Sequence, residues 1–255
     1  MLRSCHRING LGGAFKGFVN ASRSPLKALV ASFPLWCSMH AHSLEKVPGH
    51  PLSLHQTTVK FSSDIPFNER NSHSIARLLK RLPQESALRV REWLKLVEQN
   101  RLRPMVTKLK AVNDYFNALA YISDEEMWQV EDYWATPLEV ISNGKGDCED
   151  LAIAKYFTLR AMGVSSQQLG ISYVKSYRLP TAHMVLDYYD SRESRPVTLD
   201  NLDDTIRERP DLNAIYSFNE EHVWSSHNRS SNVGSPSEIR HWLLLQEKLS
   251  DQLLF

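Results

Sequence analysis

The sequence predicts an α+β domain in which N-terminal helices pack on an antiparallel sheet. Apolar residues recur at helical spacing from Ser74 to Gly163, and beyond Gly163 the spacing changes to that of short strands. Helices first and strands second is an α+β order, because a parallel sheet needs the two kinds of element to alternate along the chain. Size agrees: 255 residues at 42% apolar composition hold one good-sized core with short extensions.

At the N-terminus, Lys16, Arg23 and Lys27 precede "ALVASFPLWCSMHA", an apolar run closing on small residues. That is the layout of a secretory signal, with cleavage near Ala41 and a periplasmic destination. The run falls short of the ~20 residues that span a bilayer, so an integral membrane protein is not expected. The leader is long and interrupted by Pro34, and the alternative reading is an apolar N-terminal element of a cytosolic protein. Residues 42–67 contain Pro and Ser without a sustained period and read as an extended arm.

Ile75, Leu78, Leu79 and Leu82 keep helical spacing up to Pro83. Leu88, Trp93, Leu94 and Val97 give a second helix ending before Pro104, and a third runs from about Met105 through Leu119. Thr136 and Pro137 start a helical turn as cap and first helical residue. Asn143, Gly144 and Gly146 break the chain, and helix returns at Cys148, with Leu151, Ala154, Tyr156, Phe157 and Leu159 on an apolar side, to stop at Gly163. The segments "LGISYVKSYR", "AHMVLDYYD" and "PVTLDNL" read as strands, and "AIYSFNEEHVW" as a fourth. The folded domain therefore spans 68–224, and 225–255 is a polar linker with a final helix from Ser237-Glu238 through Leu253.

A net charge of +1 gives no global reason to expect nucleic acid as a partner. The distribution is uneven: Lys and Arg outnumber Glu from Arg77 to Lys110, and acids dominate from Ala111 to Asp150. Such adjoining blocks are either a charged docking face or the solvated sides of helices.

The chemistry centres on Cys148. If the signal is removed, Cys5 and Cys37 leave with it, no internal disulfide is possible, and a lone thiol in an oxidising compartment points to use. Its flanking acids, Asp147 and Glu149, should raise the thiol's pKa, whereas a helix N-terminus should lower it. A nucleophilic thiol also needs a base and a group that orients the base. His183 opens the strand segment "HMVLDYY", and a hairpin pairing 189 with about 197 brings 183 near Asp200. Cys, His and Asp in that order read as a thiol triad.

Each residue has a plainer reading. Cys148 can be a small buried residue, His183 a strand cap, and Asp200 the start of an Asx-turn. Asp147, Glu149 and Asp150 suit a helix N-terminus without any metal. Trp134 is either core or cleft wall, and His222 is a second candidate base. Neither CxxC nor HExxH occurs, which disfavours zinc.

The motifs "GKGDCEDLAIAKY", "AHMVLDYY" and "LDNL", with "VNDYFN" and "DYWATPLE" upstream, resemble the bacterial transglutaminase-like cysteine proteinases over about Asn68 to Trp224. Within that family the chain looks most like the periplasmic proteases that release large biofilm adhesins by clipping their N-terminal retention region. The resemblance implies a papain-like α+β fold with Cys148 as nucleophile at a helix N-terminus, His183 as base and Asp200 as orienter. It also implies Ca²⁺ at Asp147 and Glu149, and Asp150 and acids from Asp124 to Asp132 are possible further ligands. An oxygen-seeking cation suits such carboxylates and offsets their charge beside the thiol. The implied substrate is a large adhesin, and the implied regulator is an inner-membrane cyclic di-GMP receptor that sequesters the protease and so restrains biofilm dispersal. Two other functions fit the residues: an amide acyltransferase or peptidoglycan amidase with the same triad, and a non-catalytic calcium-responsive binding module.

Overall fold

The computed structural model describes residues 69–253 apart from 177–178, 180, 192–193 and 226–231; the predicted signal and arm lie outside the described residues. Three helices come first, α1 (Glu69–Arg81), α2 (Gln84–Asn100) and α3 (Met105–Asn117). Pro83 and Pro104 stand at the caps of α2 and α3, where a missing N–H costs nothing. Of the stripe predicted from spacing, Val97, Leu109, Val112 and Phe116 belong to the core and Trp93 and Leu94 pack against it, but Leu88 is exposed and Val90, two residues on, is buried instead.

Short elements follow. Strand β1 (Ala120–Tyr121) pairs in parallel with β2 (Lys145–Gly146), and between them lie α4 (Asp124–Trp128) and α5 (Pro137–Asn143). The cap expected at Thr136 forms as a reciprocal pair: Glu139 N–H donates to Thr136 Oγ1, and Thr136 N–H donates to Glu139 Oε2 at 2.7 Å. Gly144, at φ 69°, closes α5 in the left-handed region that glycine adopts without strain. The Arg89 guanidinium covers the same end, donating to the carbonyls of Ile141 and Ser142.

Helix α6 (Cys148–Ala161) is the centre of the domain. The spacing predicts one apolar side, whereas the structure buries nearly the whole helix from Asp150 to Arg160. Its polar side chains are therefore all partnered. Thr158 accepts from Trp93 Nε1 at 2.9 Å, Arg160 meets Glu220 and the Val164 carbonyl, and Lys155 reaches across to α3.

The second half forms one antiparallel sheet. Its strands are β3 (Leu169–Ser176), β4 (His183–Tyr188), β5 (Val197–Leu199), β6 (Leu212–Phe218), β7 (Val223–Ser225) and β8 (Asn232–Gly234), in the order β5-β4-β3-β6-β7-β8. Helix α6 packs on β3 and β4. The predicted fourth strand is two strands, β6 and β7, because Asn219 turns the chain between them: its side chain accepts from the amides of Glu221 and His222, both at 2.8 Å. The β4–β5 register also differs from expectation by one residue, with Tyr188 rather than 189 opposite Val197. Since side chains alternate between faces, the predicted register would have put 183 and 200 on opposite sides; the observed one puts them on the same side.

The last helix, α7 (Arg240–Leu253), begins after a short 3₁₀ turn at Pro236–Glu238. It joins the main core through Trp242, Leu245 and Leu249, and Trp242 stacks on Phe157 with ring centroids 5.7 Å apart. Among the described residues no helix is long and apolar enough to cross a membrane.

Candidate active site

Cys148 is the first residue of α6, His183 the first residue of β4, and Asp200 directly follows β5. Helix and sheet thus meet end to end. Cys148 and His183 line one cleft of about 110 Å³, with Tyr121, Asn201 and Leu202 among its other walls. The Met184 amide, one residue past His183, favours the thiolate of Cys148.

His183 Nε2 lies 2.7 Å from Asp200 Oδ1, both side chains buried. Asp200 is an acceptor on every side: Oδ1 also takes the Leu202 amide at 2.9 Å, and Oδ2 takes Arg209 Nη1 at 2.8 Å. Burial pushes its carboxyl up, but the hydrogen bond and charge of His183, the Leu202 amide and Arg209 outweigh that and hold it below the usual carboxylate range. An ionised Asp200 requires the proton on Nε2, which leaves Nδ1 as the basic nitrogen of His183. The Asx-turn and the histidine partner, alternatives in the sequence, are both present in this one carboxylate.

The acids around Cys148 divide their contacts. Asp147 caps α6 through the Asp150 amide. Glu149 turns toward the sulfur, and the Cys148 thiol donates to Glu149 Oε2 at 2.9 Å. Burial first, and the Glu149 charge second, raise the thiol well above its ordinary pKa; the Met184 amide opposes them.

Oxygens of Asp124, Asp147 and Asp150 lie within 4.8 Å of one another, and so do those of Asp124, Asp132 and Glu149. Asp124 belongs to both triplets. Burial and mutual repulsion raise these carboxyls: Asp124 to about 6, Asp150 to about 8 and Asp147 to about 10. Asp132 Oδ1 is buried with no hydrogen-bond partner. An all-oxygen, mutually repelling cluster with an orphaned acceptor fits a hard divalent cation. Asp147 and Glu149, the ligands expected from the sequence, are thus joined by Asp124, Asp132 and Asp150. The density of acids in "DEEMWQVEDYW" is the signal for the first two, though nothing in their spacing says which of them turn inward.

The other candidates lie elsewhere. Trp134 is core, stacked on Phe218 at 5.8 Å. His222 sits in the β6–β7 turn with Glu221 Oε2 at 3.9 Å and is not among the residues lining the cleft. Arg209, which sequence reasoning overlooked, holds Asp200 and also grips Asp211 with two bonds of 2.9 and 3.0 Å.

A family model described as bacterial transglutaminase-like cysteine proteinase matches residues 80–231. Among solved structures, calcium-bound LapG of Legionella pneumophila is 38% identical, with a TM-score of 0.64 over 69% of this chain and 98% of that one. The EGTA-treated form of the same protein is 39% identical at a TM-score of 0.64, covering 69% and 96% of the two chains. No curated protein matches the chain.

Proposed function

Because the chain belongs to the bacterial transglutaminase-like cysteine proteinases, it is read as a cysteine protease, and we propose that it is a calcium-dependent endopeptidase using Cys148, His183 and Asp200. Cys148 attacks the scissile carbonyl carbon, and His183 Nδ1 takes the thiol proton and gives it to the leaving amine as the C–N bond breaks; water, activated by the same Nδ1, then hydrolyses the thioester, releasing the acid and restoring the thiol. Asp200 orients His183 and stabilises its cation, and amides in the first turn of α6 receive the oxyanion. The observation that carries this reading is the 2.7 Å His183–Asp200 pair, buried beside the cleft that Cys148 lines.

Asp124, Asp147, Glu149 and Asp150, with Asp132 beside them, would hold the calcium. Bound there, it supplies positive charge that offsets the carboxylates next to the thiol. The support is the raised, mutually repelling cluster on this chain, together with the existence of a calcium-bound form of LapG.

By its resemblance to the adhesin-releasing members of the family, the enzyme acts in the periplasm on the N-terminal region of a large surface adhesin. Release of that adhesin disperses the biofilm. The same resemblance makes the enzyme a partner of an inner-membrane cyclic di-GMP receptor that sequesters it.

Incubation of the exported protein with the periplasmic segment of an adhesin from the same genome tests the whole reading. Two peptides are expected with calcium, and none with EGTA or with Cys148→Ala. A crosslinked product would instead assign amide acyl transfer. Cleavage by Cys148→Ala would overturn the thiol mechanism, and cleavage unchanged in EGTA would remove calcium from it.

A further inference from the structure

Lys155 lies in the middle of α6 and is 1% exposed, a costly place for an amine. Burial lowers its pKa to about 7, against the opposing pull of Asp200 and Asp204. Its Nζ donates to two amide oxygens on α3, Asn113 Oδ1 at 2.8 Å and Asn117 Oδ1 at 2.7 Å. Both amide nitrogens are thereby turned toward the segment after β5. Asn113 Nδ2 donates to the Asp204 carbonyl at 3.2 Å; Asn117 Nδ2 donates to the Asp200 carbonyl at 2.9 Å and to Asp204 Oδ1 at 2.8 Å.

We propose that Asn117 and Lys155 are positioning residues for the reaction: Lys155 locks the Asn117 amide, and that amide holds the Asp200 backbone at the angle from which its carboxylate meets His183. The inference rests on the triad reading given above.

The orientation follows from donor and acceptor inventories. A lysine side chain can only donate, and a carbonyl or carboxylate oxygen can only accept, so an asparagine between them has one satisfied orientation. Without Lys155 the amide oxygen of Asn117 would face a void, and the α3 to α6 distance that sets it would no longer be fixed. A methionine of similar volume would avoid the cost of burying an amine but would leave both amide oxygens without a donor. What a methionine could not supply is direction. The Asp200 side chain is gripped by Leu202 and Arg209, both from its own segment, whereas Asn117 ties that segment to the helices. A displacement of ~1 Å at such a group costs on the order of 10²-fold in rate.

The test compares Asn117→Ala and Lys155→Met with Val97→Ala, a core truncation on α2, in the intact protein. Two readouts are taken: kcat and KM on the adhesin segment, and the rate at which iodoacetamide alkylates Cys148 near neutral pH, located by mass spectrometry. For Asn117→Ala the expected result is a kcat roughly 10- to 100-fold lower. KM should stay unchanged within error, and alkylation should slow as the His183–Asp200 pair loses its alignment. Lys155→Met should move both readouts the same way and, by leaving two amide oxygens without a donor, should also lower Tm, for which Val97→Ala is the control; Asn117→Ala decides the matter if Lys155→Met does not fold. Val97→Ala should lower Tm and leave both readouts at the wild-type value. Wild-type kcat and alkylation in Asn117→Ala, or an equal kcat loss in Val97→Ala, would overturn the inference. Activity surviving in Cys148→Ala would sink the protease reading itself, whereas an inactive Cys148→Ala beside a fully active Asn117→Ala would sink the positioning role alone.

Discussion

Asp200→Asn changes one atom of a carboxylate that three donors share. Oδ1 receives His183 Nε2 and the Leu202 amide, and Oδ2 receives Arg209 Nη1, at 2.7, 2.9 and 2.8 Å. An asparagine has one accepting oxygen, so it must fail on one side. If its oxygen stays with His183 and Leu202, its NH₂ abuts the guanidinium of Arg209, and the imidazolium loses its ionic partner. Hydrogen bonds to charged groups contribute ~1.5–3 kcal/mol and neutral ones ~0.5–1.5, so about 1–2 kcal/mol goes, or roughly tenfold in kcat. If the oxygen turns to Arg209, the NH₂ faces His183, Nε2 must give up its proton, and Nδ1 can no longer accept from Cys148. The wrong tautomer costs on the order of 10⁴ in kcat in the serine-protease triad.

The expected loss in this enzyme therefore lies between about tenfold and 10⁴-fold. Arg209 keeps Asp211 as a bidentate partner, so no charge is stranded. A stability loss of about 1–2 kcal/mol, or a few °C in Tm at ~2–4 °C per kcal/mol, is the most the variant should show. Steady-state cleavage of the adhesin segment measures the first quantity and scanning calorimetry the second. A kcat equal to that of the wild type, in a variant that folds, would refute the role given to Asp200.

Two further outcomes are expected. Burial and repulsion hold Asp124 at about 6, Asp150 at about 8 and Asp147 at about 10, so the folded chain binds protons that the unfolded chain, with carboxyls near ~3.9, has lost. Stability from that source is complete at acid pH and lost as pH rises through those values: in EGTA, Tm should fall steadily from about pH 5 to about pH 9, and calcium should flatten the slope. A flat profile in EGTA would mean the cluster carries no such strain. Trp242→Ala removes a large, fully buried side chain stacked on Phe157 and set edge-on to Phe218, and should cost ~3–5 kcal/mol, seen as a Tm drop of ~6–20 °C. A drop of only a degree or two would mean that α7 is an appendage and not part of the core.

The helices were legible because their period is local. Ile75 to Leu82 and Leu109 to Phe116 announce α1 and α3 without reference to anything distant, and Thr136-Pro137 announces the start of α5 through backbone chemistry. The two-residue strands β1 and β2 and the one-turn α4 carry no period, so only tertiary pairing reveals them. Segment "AIYSFNEEHVW" reads as one strand because its turn is made by an asparagine side chain, not by glycine or proline. The β4–β5 register escaped for a similar reason. Residues 183 and 200 could be brought near each other by any hairpin, but the face each occupies depends on one residue of slip, which the sequence of the connection does not specify.

The site divides along the same line. Cys148, His183 and Asp200 could be singled out from the sequence because each stands at the end of an element, and the structure puts His183 against Asp200 beside the cleft that Cys148 lines. Asn117, Lys155 and Arg209 could not, since an asparagine and a lysine in helices and an arginine in a loop match thousands of neutral surfaces until their partners are known. Glu149 shows why the acids could be named but not assigned. The sequence sets two influences on Cys148 against each other, and in the structure burial first and the carboxylate second outweigh the helix start: the thiol donates to Glu149 Oε2 at 2.9 Å and sits above its ordinary pKa. Asp147 spends its oxygens elsewhere, on the α6 cap and on the cluster with Asp124 and Asp150. Among the described acids, Glu149 is the one that hydrogen-bonds the thiol and also belongs to the acidic cluster, beside Asp124 and Asp132. In the proposed calcium-bound enzyme, therefore, charge neutralised at the cluster reaches the sulfur chiefly through Glu149, and a Glu149→Gln chain should gain thiol reactivity in EGTA while losing its response to calcium.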